Sequence, residues 1–336
     1  SQLNIGFEAR LFNTVNATFD YYKKITSGIL QYVDIPGYVG ASGSPLGNVA
    51  DMENSGLELE LGYKKEFGDF KFSANGNVAY LKNEVTFLGD GKEFIGGGAG
   101  FQSMGTVTRT QVGSSYNAFY GFQTNGIFQN MDEVNSYVNS TGTIIQPTAV
   151  PGDFKWMDID DNGEITDDDK VLLGSPIPKY TFGLTLNLDY KGIDFMVFTQ
   201  GVAGNKIFQG LRRLDIPNSN YQNVALSRWT GEGTSNSFPR LSSNDPNGNF
   251  GKFSDFYLEK GDFLRLKTIQ IGYTLPAELL TKIGASKLRL YVTGENLLTI
   301  TEYTGFDPEI GGSVLGIDKG FYPQAKSLML GMNLQF

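Results

Sequence analysis

A strict two-residue hydrophobic period runs through several segments of this 336-residue chain. Between residues 180 and 190 the even-numbered positions are Tyr, Phe or Leu, and the odd-numbered positions are Thr, Gly, Asn or Asp. The same alternation recurs at residues 3–11, 15–21, 57–63, 70–80 and 328–336. Because successive side chains of a β-strand point to opposite faces, this period predicts strands with one apolar and one polar face. Segments of about ten residues with aromatic ends are typical of transmembrane β-barrels, although a soluble β-sandwich also alternates.

The lengths of the connections favour the barrel over the sandwich. Tight turns are predicted at residues 13–14, 68–69 and 191–192, and they alternate with long loops over 27–53, 88–178 and 201–261. Bacterial outer-membrane barrels have short turns on the periplasmic side and long loops on the outer side, where function resides. A sandwich rarely keeps this asymmetry.

The alternation predicts about nine spanning strands in an all-β, antiparallel fold. They are predicted near residues 2–12, 15–26, 54–67, 70–86, 179–190, 193–201, 263–275, 287–299 and 327–336. Bacterial single-chain barrels have an even number of strands, so about nine strands do not close a barrel alone. The chain is therefore expected to be part of a larger transmembrane β-barrel.

Each predicted strand should place one set of side chains against lipid and the other against the lumen. In the segment 180–190 the predicted lipid-facing residues are Phe182, Leu184, Leu186 and Leu188, and the predicted lumen-facing residues are Thr185, Asn187 and Asp189. In the segment 263–275, Leu264 and Leu266 follow one phase and Ile269 and Ile271 the other. This change of phase predicts a β-bulge near Lys267.

Composition excludes several classes of function. The chain contains no cysteine and no histidine, which rules out disulfides, thiol nucleophiles, Ser-His-Asp triads and histidine-ligated zinc, and we predict that it is not an enzyme. Its net charge is −9 and no basic run is interleaved with aromatic residues, so no nucleic-acid partner is expected. No apolar run reaches the roughly 18 residues that a membrane-spanning helix needs.

Residues 158–169 have the spacing of a calcium-binding loop. Oxygen-bearing side chains stand at positions 1, 3, 5 and 12 of this segment, and a glycine stands at position 6, where such loops turn sharply. The predicted ligands are Asp158, Asp160, Asn162 and Asp169 through their side chains and Glu164 through its backbone carbonyl. EF-hands carry Glu at position 12, whereas dockerin-type loops carry Asp. The cofactor predicted is structural Ca²⁺, and the alternative is an acidic turn that binds nothing.

A series of short motifs follows in a fixed order along the whole chain. They are NSGLEL at 54–59, FYGFQTNGIF at 119–128, GDFKWMD at 152–158, PIPKYTFG at 176–183, QGVAGNKI at 200–207, RWT at 228–230, FLRLK at 263–267, GENL at 294–297 and GFDPE at 305–309. With the terminal Phe336, they make the chain resemble the C-terminal region of the SusC/RagA-like TonB-dependent transporters of Bacteroidetes outer membranes.

The resemblance implies a 22-stranded barrel with a plugged lumen, of which residues 1–336 would be the C-terminal portion and 87–178 an extracellular loop region. The plug domain and TonB box precede the barrel in this family and would lie outside this chain. Members import oligosaccharides, or in some cases peptides, with a SusD-like surface lipoprotein and energy from TonB. The implied partners are that lipoprotein, the N-terminal half and plug, TonB, and the lipid and lipopolysaccharide of the bacterial outer membrane.

Three aromatic residues of the long outer loop are candidate contacts for a ligand or the lid protein. Tyr120, Phe122 and Trp156 could stack on sugar rings, or they could simply pack the loop. A rival interpretation of the whole chain also stays open. It is a passive or adhesive surface protein, barrel or sandwich, that displays a calcium-stabilised loop.

Overall fold

The computed structural model describes residues 1–33, 38, 40, 43, 45–89, 92–96, 101–216, 219–280, 284–310 and 316–336. The strands of the first half are β1 (Gln2–Leu11), β2 (Val15–Tyr32), β3 (Leu46–Phe67), β4 (Phe70–Phe87), β5 (Phe94–Gly96), β6 (Thr108–Gln111), β7 (Ala118–Gly121), β8 (Thr124–Ile127) and β9 (Phe154–Trp156). Those of the second half are β10 (Val171–Gly174), β11 (Tyr180–Tyr190), β12 (Ile193–Ala203), β13 (Lys206–Gln209), β14 (Leu258–Lys260), β15 (Phe263–Thr274), β16 (Lys287–Thr301), β17 (Ile317–Asp318) and β18 (Ser327–Gln335). Two short helices are α1 (Met131–Ser136) and α2 (Ala277–Leu280).

One large antiparallel sheet organises the molecule. Its nine strands follow the order β1-β2-β3-β4-β11-β12-β15-β16-β18, and among the described residues β1 and β18 each pair on one side only. All nine predicted strands are present, and the all-β barrel-type fold class is confirmed. The two strands at the ends of the sheet leave their outer backbone groups available for further strands.

The pairing register places the apolar residues of neighbouring strands on the same face. One row across five strands runs through Phe7, Phe19, Leu59, Val78 and Phe182. The adjacent row, one residue along, runs through Glu8, Thr18, Glu60, Asn77 and Gly183. Because side chains alternate between faces, the first row belongs to an apolar face and the second to a polar face.

The apolar face is open to its surroundings in this chain. Phe7 is 65% exposed, and Leu328 and Leu330 are 74% and 84% exposed. Along β11, Tyr180 and Tyr190 stand ten residues apart, which is about 33 Å of strand, or about 25 Å of height at a tilt of about 40°. That height matches the apolar band of an outer-membrane barrel, so we interpret this face as lipid-facing.

The predicted bulge is present in β15. The pairing of β15 with β12 shifts between Phe198 and Thr199, and its pairing with β16 shifts between Leu266 and Thr268. Lys267 is therefore the extra residue. The shift returns Ile269 and Ile271 to the apolar face that Leu264 and Leu266 occupy.

The predicted boundaries of the first outer loop were wrong. Instead of ending near residue 26, β2 continues to Tyr32, and β3 begins at Leu46 rather than near residue 54. Of the predicted loop, residues 34–37, 39, 41–42 and 44 lie outside the described residues. The strands extend beyond the apolar band, where ion pairs such as Lys23–Glu53 (Nζ–Oε2 2.9 Å) replace apolar side chains, so the two-residue hydrophobic period ends before the strands do.

The two longest predicted loops contain structure of their own. Their described residues form three small sheets, with the strand orders β10-β7-β6-β5, β14-β13-β17 and β8-β9, although β17 comes from the later connection between β16 and β18. A largely aromatic core joins the first two sheets, and its buried residues are Val107, Phe119, Phe208, Phe253, Tyr257 and Ile317. The β8-β9 sheet belongs to a second buried cluster, and Phe256 packs against both. We call the described residues of 88–178 and 204–262 the loop region. In the described part of the chain, neither helix has the length and apolar character needed to cross a membrane.

Candidate functional site

The acidic segment 158–169 forms a closed loop between β9 and β10. Oxygen atoms of Asp158, Asp160 and Asp169 all lie within 4.8 Å of one another. Asp169 is fully buried, whereas Asp160 is exposed. The structure thus brings together three of the five predicted metal ligands.

Backbone hydrogen bonds to Asp169 close this loop. Its Oδ1 accepts the N–H of Ile159 (2.7 Å), and its Oδ2 accepts the N–H of Thr166 (2.7 Å). Thr166 in turn caps the short 3₁₀ turn Asp167–Asp169, where its hydroxyl accepts the N–H of Asp168 (3.3 Å). A single carboxylate therefore joins the start and the end of the loop.

The tight bend at position 6 depends on Gly163. Its φ of +88° lies in the left-handed region, and a Cβ at this position would meet Asn139 Nδ2 at 2.2 Å. The bend directs the Gly163 N–H to Asp158 Oδ2 (2.8 Å). The glycine is required both by the backbone conformation and by the close approach of Asn139.

The other two predicted ligands have different positions. Asn162 donates from Nδ2 to Asp160 Oδ2 (2.8 Å), and its Oδ1 accepts the N–H of Glu164 (2.8 Å). Both polar atoms of the Asn162 amide are thus hydrogen-bonded within the loop. The Glu164 carboxylate is not part of the carboxylate cluster, in keeping with a predicted role through its backbone carbonyl. The donor set of hard oxygen atoms fits Ca²⁺.

The negative charge of the loop affects neighbouring titratable groups. Tyr137 donates its hydroxyl proton to the carbonyl of Trp156 (2.7 Å). Burial raises the pKa of Tyr137, and the charges of Asp158 and Asp169 raise this pKa further. On the other side, Lys170 pairs with Asp167 (Nζ–Oδ1 2.8 Å). The loop thus keeps an excess of carboxylates over neighbouring cations.

The three candidate aromatic contacts differ in their exposure. Trp156 is 1% exposed and Phe122 is 4% exposed, and their ring centroids lie 5.8 Å apart. Neither ring is open to a sugar or a lid protein, because both are packed inside the loop region. Tyr120 is only partly buried, and one face of its ring carries the Arg109 guanidinium at 3.4 Å from the centroid. Of the three, Tyr120 keeps the best access for a ligand.

Sequence reasoning missed a buried polar network behind the acidic loop. Asp153 is fully buried and accepts from Arg240 Nε (2.7 Å) and Asn249 Nδ2 (2.8 Å). Gln146 accepts the N–H of Trp156 (2.8 Å) and donates to Asn247 Oδ1 (2.9 Å). The only signal is the turn-forming run DPNGN at 245–249. Nothing in that run points to partners about a hundred residues away.

The polar face of the main sheet is the second candidate functional surface. Many of its side chains pair with one another. Arg289 donates from Nε to Asp194 Oδ2 (2.8 Å), and Gln270 donates to Thr293 Oγ1 (2.7 Å). Such a wall of paired charges and hydroxyls suits a water-filled or plugged lumen.

No model of a protein family matches the chain. Individual known proteins, in contrast, match it over its whole length. TonB-dependent receptor P26 of Formosa agariphila is 31% identical over all of this chain and 34% of its own length. TonB-dependent receptor SusC of Bacteroides thetaiotaomicron is 27% identical over 99% of this chain and 31% of its own length. The chain thus spans about a third of the length of the curated relatives it matches.

Solved structures agree with the sequence relatives. The structure of the RagAB peptide transporter matches all of this chain and 35% of the matched chain, with a TM-score of 0.78 and 26% identity. TonB-dependent receptors of this type are outer-membrane proteins, and the apolar face of the nine-stranded sheet fits that location. Over its whole length, the chain is therefore homologous to SusC/RagA-like TonB-dependent receptors and has the fold of part of their outer-membrane β-barrel.

Proposed function

We propose that this chain is the C-terminal portion of the barrel of a TonB-dependent importer. The cargo would be an oligosaccharide or a peptide, and the complete protein would add the remaining strands, the plug and the segment that contacts TonB. A SusD-like lipoprotein would cover the outer mouth. The names of its relatives support the TonB dependence and the peptide cargo, whereas the oligosaccharide cargo and the lipoprotein follow from the family resemblance.

The observation that carries the proposal is the division of the nine-stranded sheet into two faces. Its apolar face is exposed over about the height of a bilayer, and its polar face is lined with charged and hydrogen-bonded groups. The face opposite the apolar one is polar, and among the described residues the terminal strands β1 and β18 each pair on one side only. These features fit a segment of a larger barrel wall. In a soluble adhesive protein, such a band of apolar residues would be exposed to water.

We further propose that the acidic loop binds Ca²⁺ and that the ion has a structural role. Asp158, Asp160 and Asp169 would supply carboxylate oxygens, with Asn162 and the carbonyl of Glu164 completing the site. The loop lies directly between β9 and β10, so the ion would stiffen the part of the loop region that carries Tyr120 and meets the lid protein. Extracellular calcium modules typically bind with dissociation constants of about 10⁻⁴–10⁻³ M, which suits an outward-facing loop.

Deletion of the complete gene in its native host tests the transport proposal. We expect loss of growth on one class of oligosaccharide or peptide, rescue by the full-length protein, and no rescue by a version without the TonB-contacting segment. Growth that is unchanged on all such substrates, together with reduced attachment of cells to surfaces, would favour the adhesive alternative. A tagged full-length protein should also co-purify with a surface lipoprotein encoded in a neighbouring reading frame.

A further inference from the structure

The connection between β16 and β18 is tied to the polar face of β15 by charged groups. We call residues 302–310 and 316–326 the strap. Arg265, only 2% exposed, donates to Asp307 and, from Nη1, to Glu309 Oε2 (2.8 Å). Lys267 Nζ also donates to Glu309 Oε2 (2.8 Å). Two cations of the wall thus hold two carboxylates of the strap.

The bulge in β15 explains how both cations reach the strap. Lys267 is the extra residue of the bulge, and it shares Glu309 with Arg265. The strap is also closed on itself, because Asp307 Oδ2 accepts the N–H of Gln324 (2.9 Å). Asp307 therefore joins the two limbs of the strap to each other and to the wall.

The opposite side of the strap is anchored in a different way. Ile317 is fully buried in the aromatic core of the loop region, and it pairs with Phe208 of β13. Tyr303 is 6% exposed and donates its hydroxyl proton to Asp318 (2.6 Å). This side combines apolar packing and backbone pairing with the hydrogen bond from the Thr304 N–H to Glu259 Oε2 (2.7 Å), so exchange of charged partners alone does not release it.

Near the wall, Phe306 is 67% exposed and Tyr322 is 92% exposed, and the ionic cluster links the strap to β15. A hydrogen bond from Asn296 Nδ2 to the carbonyl of Ala325 (3.1 Å) links the strap to β16. We propose that the strap is a gate at the outer mouth of the lumen, with its fixed side on β13 and an ionic latch at Arg265. Release of the Arg265–Asp307 pair frees the strap from the wall and widens the mouth. This inference rests on the proposed function, because the polar face is a lumen only in a complete barrel.

The test uses spin labels in the full-length protein, at Thr185→Cys on the wall and Tyr322→Cys on the strap. With the latch intact, the distance distribution should be narrow. Arg265→Gln should broaden and shift it, and limited proteolysis at the strap residues 302–310 and 316–326 should become roughly tenfold faster as local opening becomes easier. Arg289→Gln is the matched control, since it breaks the wall pair with Asp194, and Arg289 forms no hydrogen bond or ion pair with the described strap residues.

Asp307→Asn provides a second variant that preserves shape and keeps an acceptor for the Gln324 N–H, in case Arg265→Gln does not assemble. The gate is supported if either latch variant broadens the distribution while Arg289→Gln resembles the parent protein. It is overturned if the assembled latch variants keep the parent distribution, or if the control broadens it equally. Because neither readout requires uptake of cargo, failure of the transport proposal is recognised separately, by the growth of the deletion strain.

Discussion

At the scale of single residues, Asp153 is a buried charge of the loop region that depends on its partners. It is fully buried, and its two oxygens accept from Arg240, from Asn249 and from the N–H of Val150 (3.0 Å). A buried carboxylate depends on such partners, because the loss of hydration is otherwise uncompensated. Arg240 is the only cation among the described residues that forms an ion pair with it.

Arg240→Met should therefore destabilise the loop region by about 3–5 kcal/mol, the usual cost of removing one partner of a buried ion pair. Hydrogen exchange of the backbone amides in β8 and β9 is a suitable measurement. Lys260→Met is the control, since it breaks the exposed Lys260–Glu302 pair and should leave exchange unchanged. Equal exchange in both variants would show that Arg240 has no special role.

The assignment of the two faces predicts that a charged side chain is tolerated at residue 187 but not at residue 186. Leu186→Arg would place a charge in lipid near the middle of the bilayer, at a cost of about 2–4 kcal/mol, and should impair assembly. Asn187→Arg places the same side chain on the polar face and should be mild. The measurement is the yield of folded full-length protein in the outer membrane. If both variants are tolerated equally, the two faces are wrongly assigned.

At the scale of elements, the acidic loop should respond to calcium. Without the ion, the carboxylates of Asp158, Asp160 and Asp169 repel one another, so the loop should loosen. The double variant Asp160→Ala, Asp169→Ala ought to raise protease cleavage between residues 152 and 174 to the level that a chelator produces in the parent protein, with barrel assembly intact. If calcium changes neither cleavage nor measured metal content in the parent protein, the loop is only an acidic turn.

The elements also show how far the sequence alone is informative. The spanning strands were predictable because lipid on one side and polar surroundings on the other impose alternation, as in β11. The outer ends of β2 and β3 were not, because both of their faces leave the apolar band there. The fold of the loop region was not predictable either. Its core joins Phe119, Phe208 and Phe253, and no period relates residues so distant in the chain.

The acidic loop illustrates the same limit within a single site. Its predicted ligands are close in sequence, and the carboxylates of Asp158, Asp160 and Asp169 do lie close together. Spacing carried no information on burial, and Trp156 and Phe122 proved to be interior residues although they lie in an outer loop. Only contacts with distant residues, such as Asn247 at the indole N–H of Trp156 (3.1 Å), reveal this.

At the scale of the whole molecule, the open edges of the sheet predict that these 336 residues do not form a barrel alone. Among the described residues, β1 and β18 each pair on one side only, and in lipid their unpaired backbone N–H and C=O groups would cost several kcal/mol per group. Expressed alone, the chain should aggregate or be degraded, and it should fold when the further strands of the proposed complete barrel are supplied. A stable, monodisperse, heat-modifiable barrel made from this chain alone would contradict the prediction.

We interpret the main sheet as a barrel wall with lipid on its apolar face and the lumen on its polar face. Single cysteines at each position from 181 to 189 of the full-length protein can carry nitroxide labels, and this chain contributes no cysteine of its own. In membranes, labels at even-numbered positions should be accessible to oxygen and those at odd-numbered positions to a polar relaxation agent, with a period of two. Uniform accessibility along the segment, or the opposite phase, would contradict it.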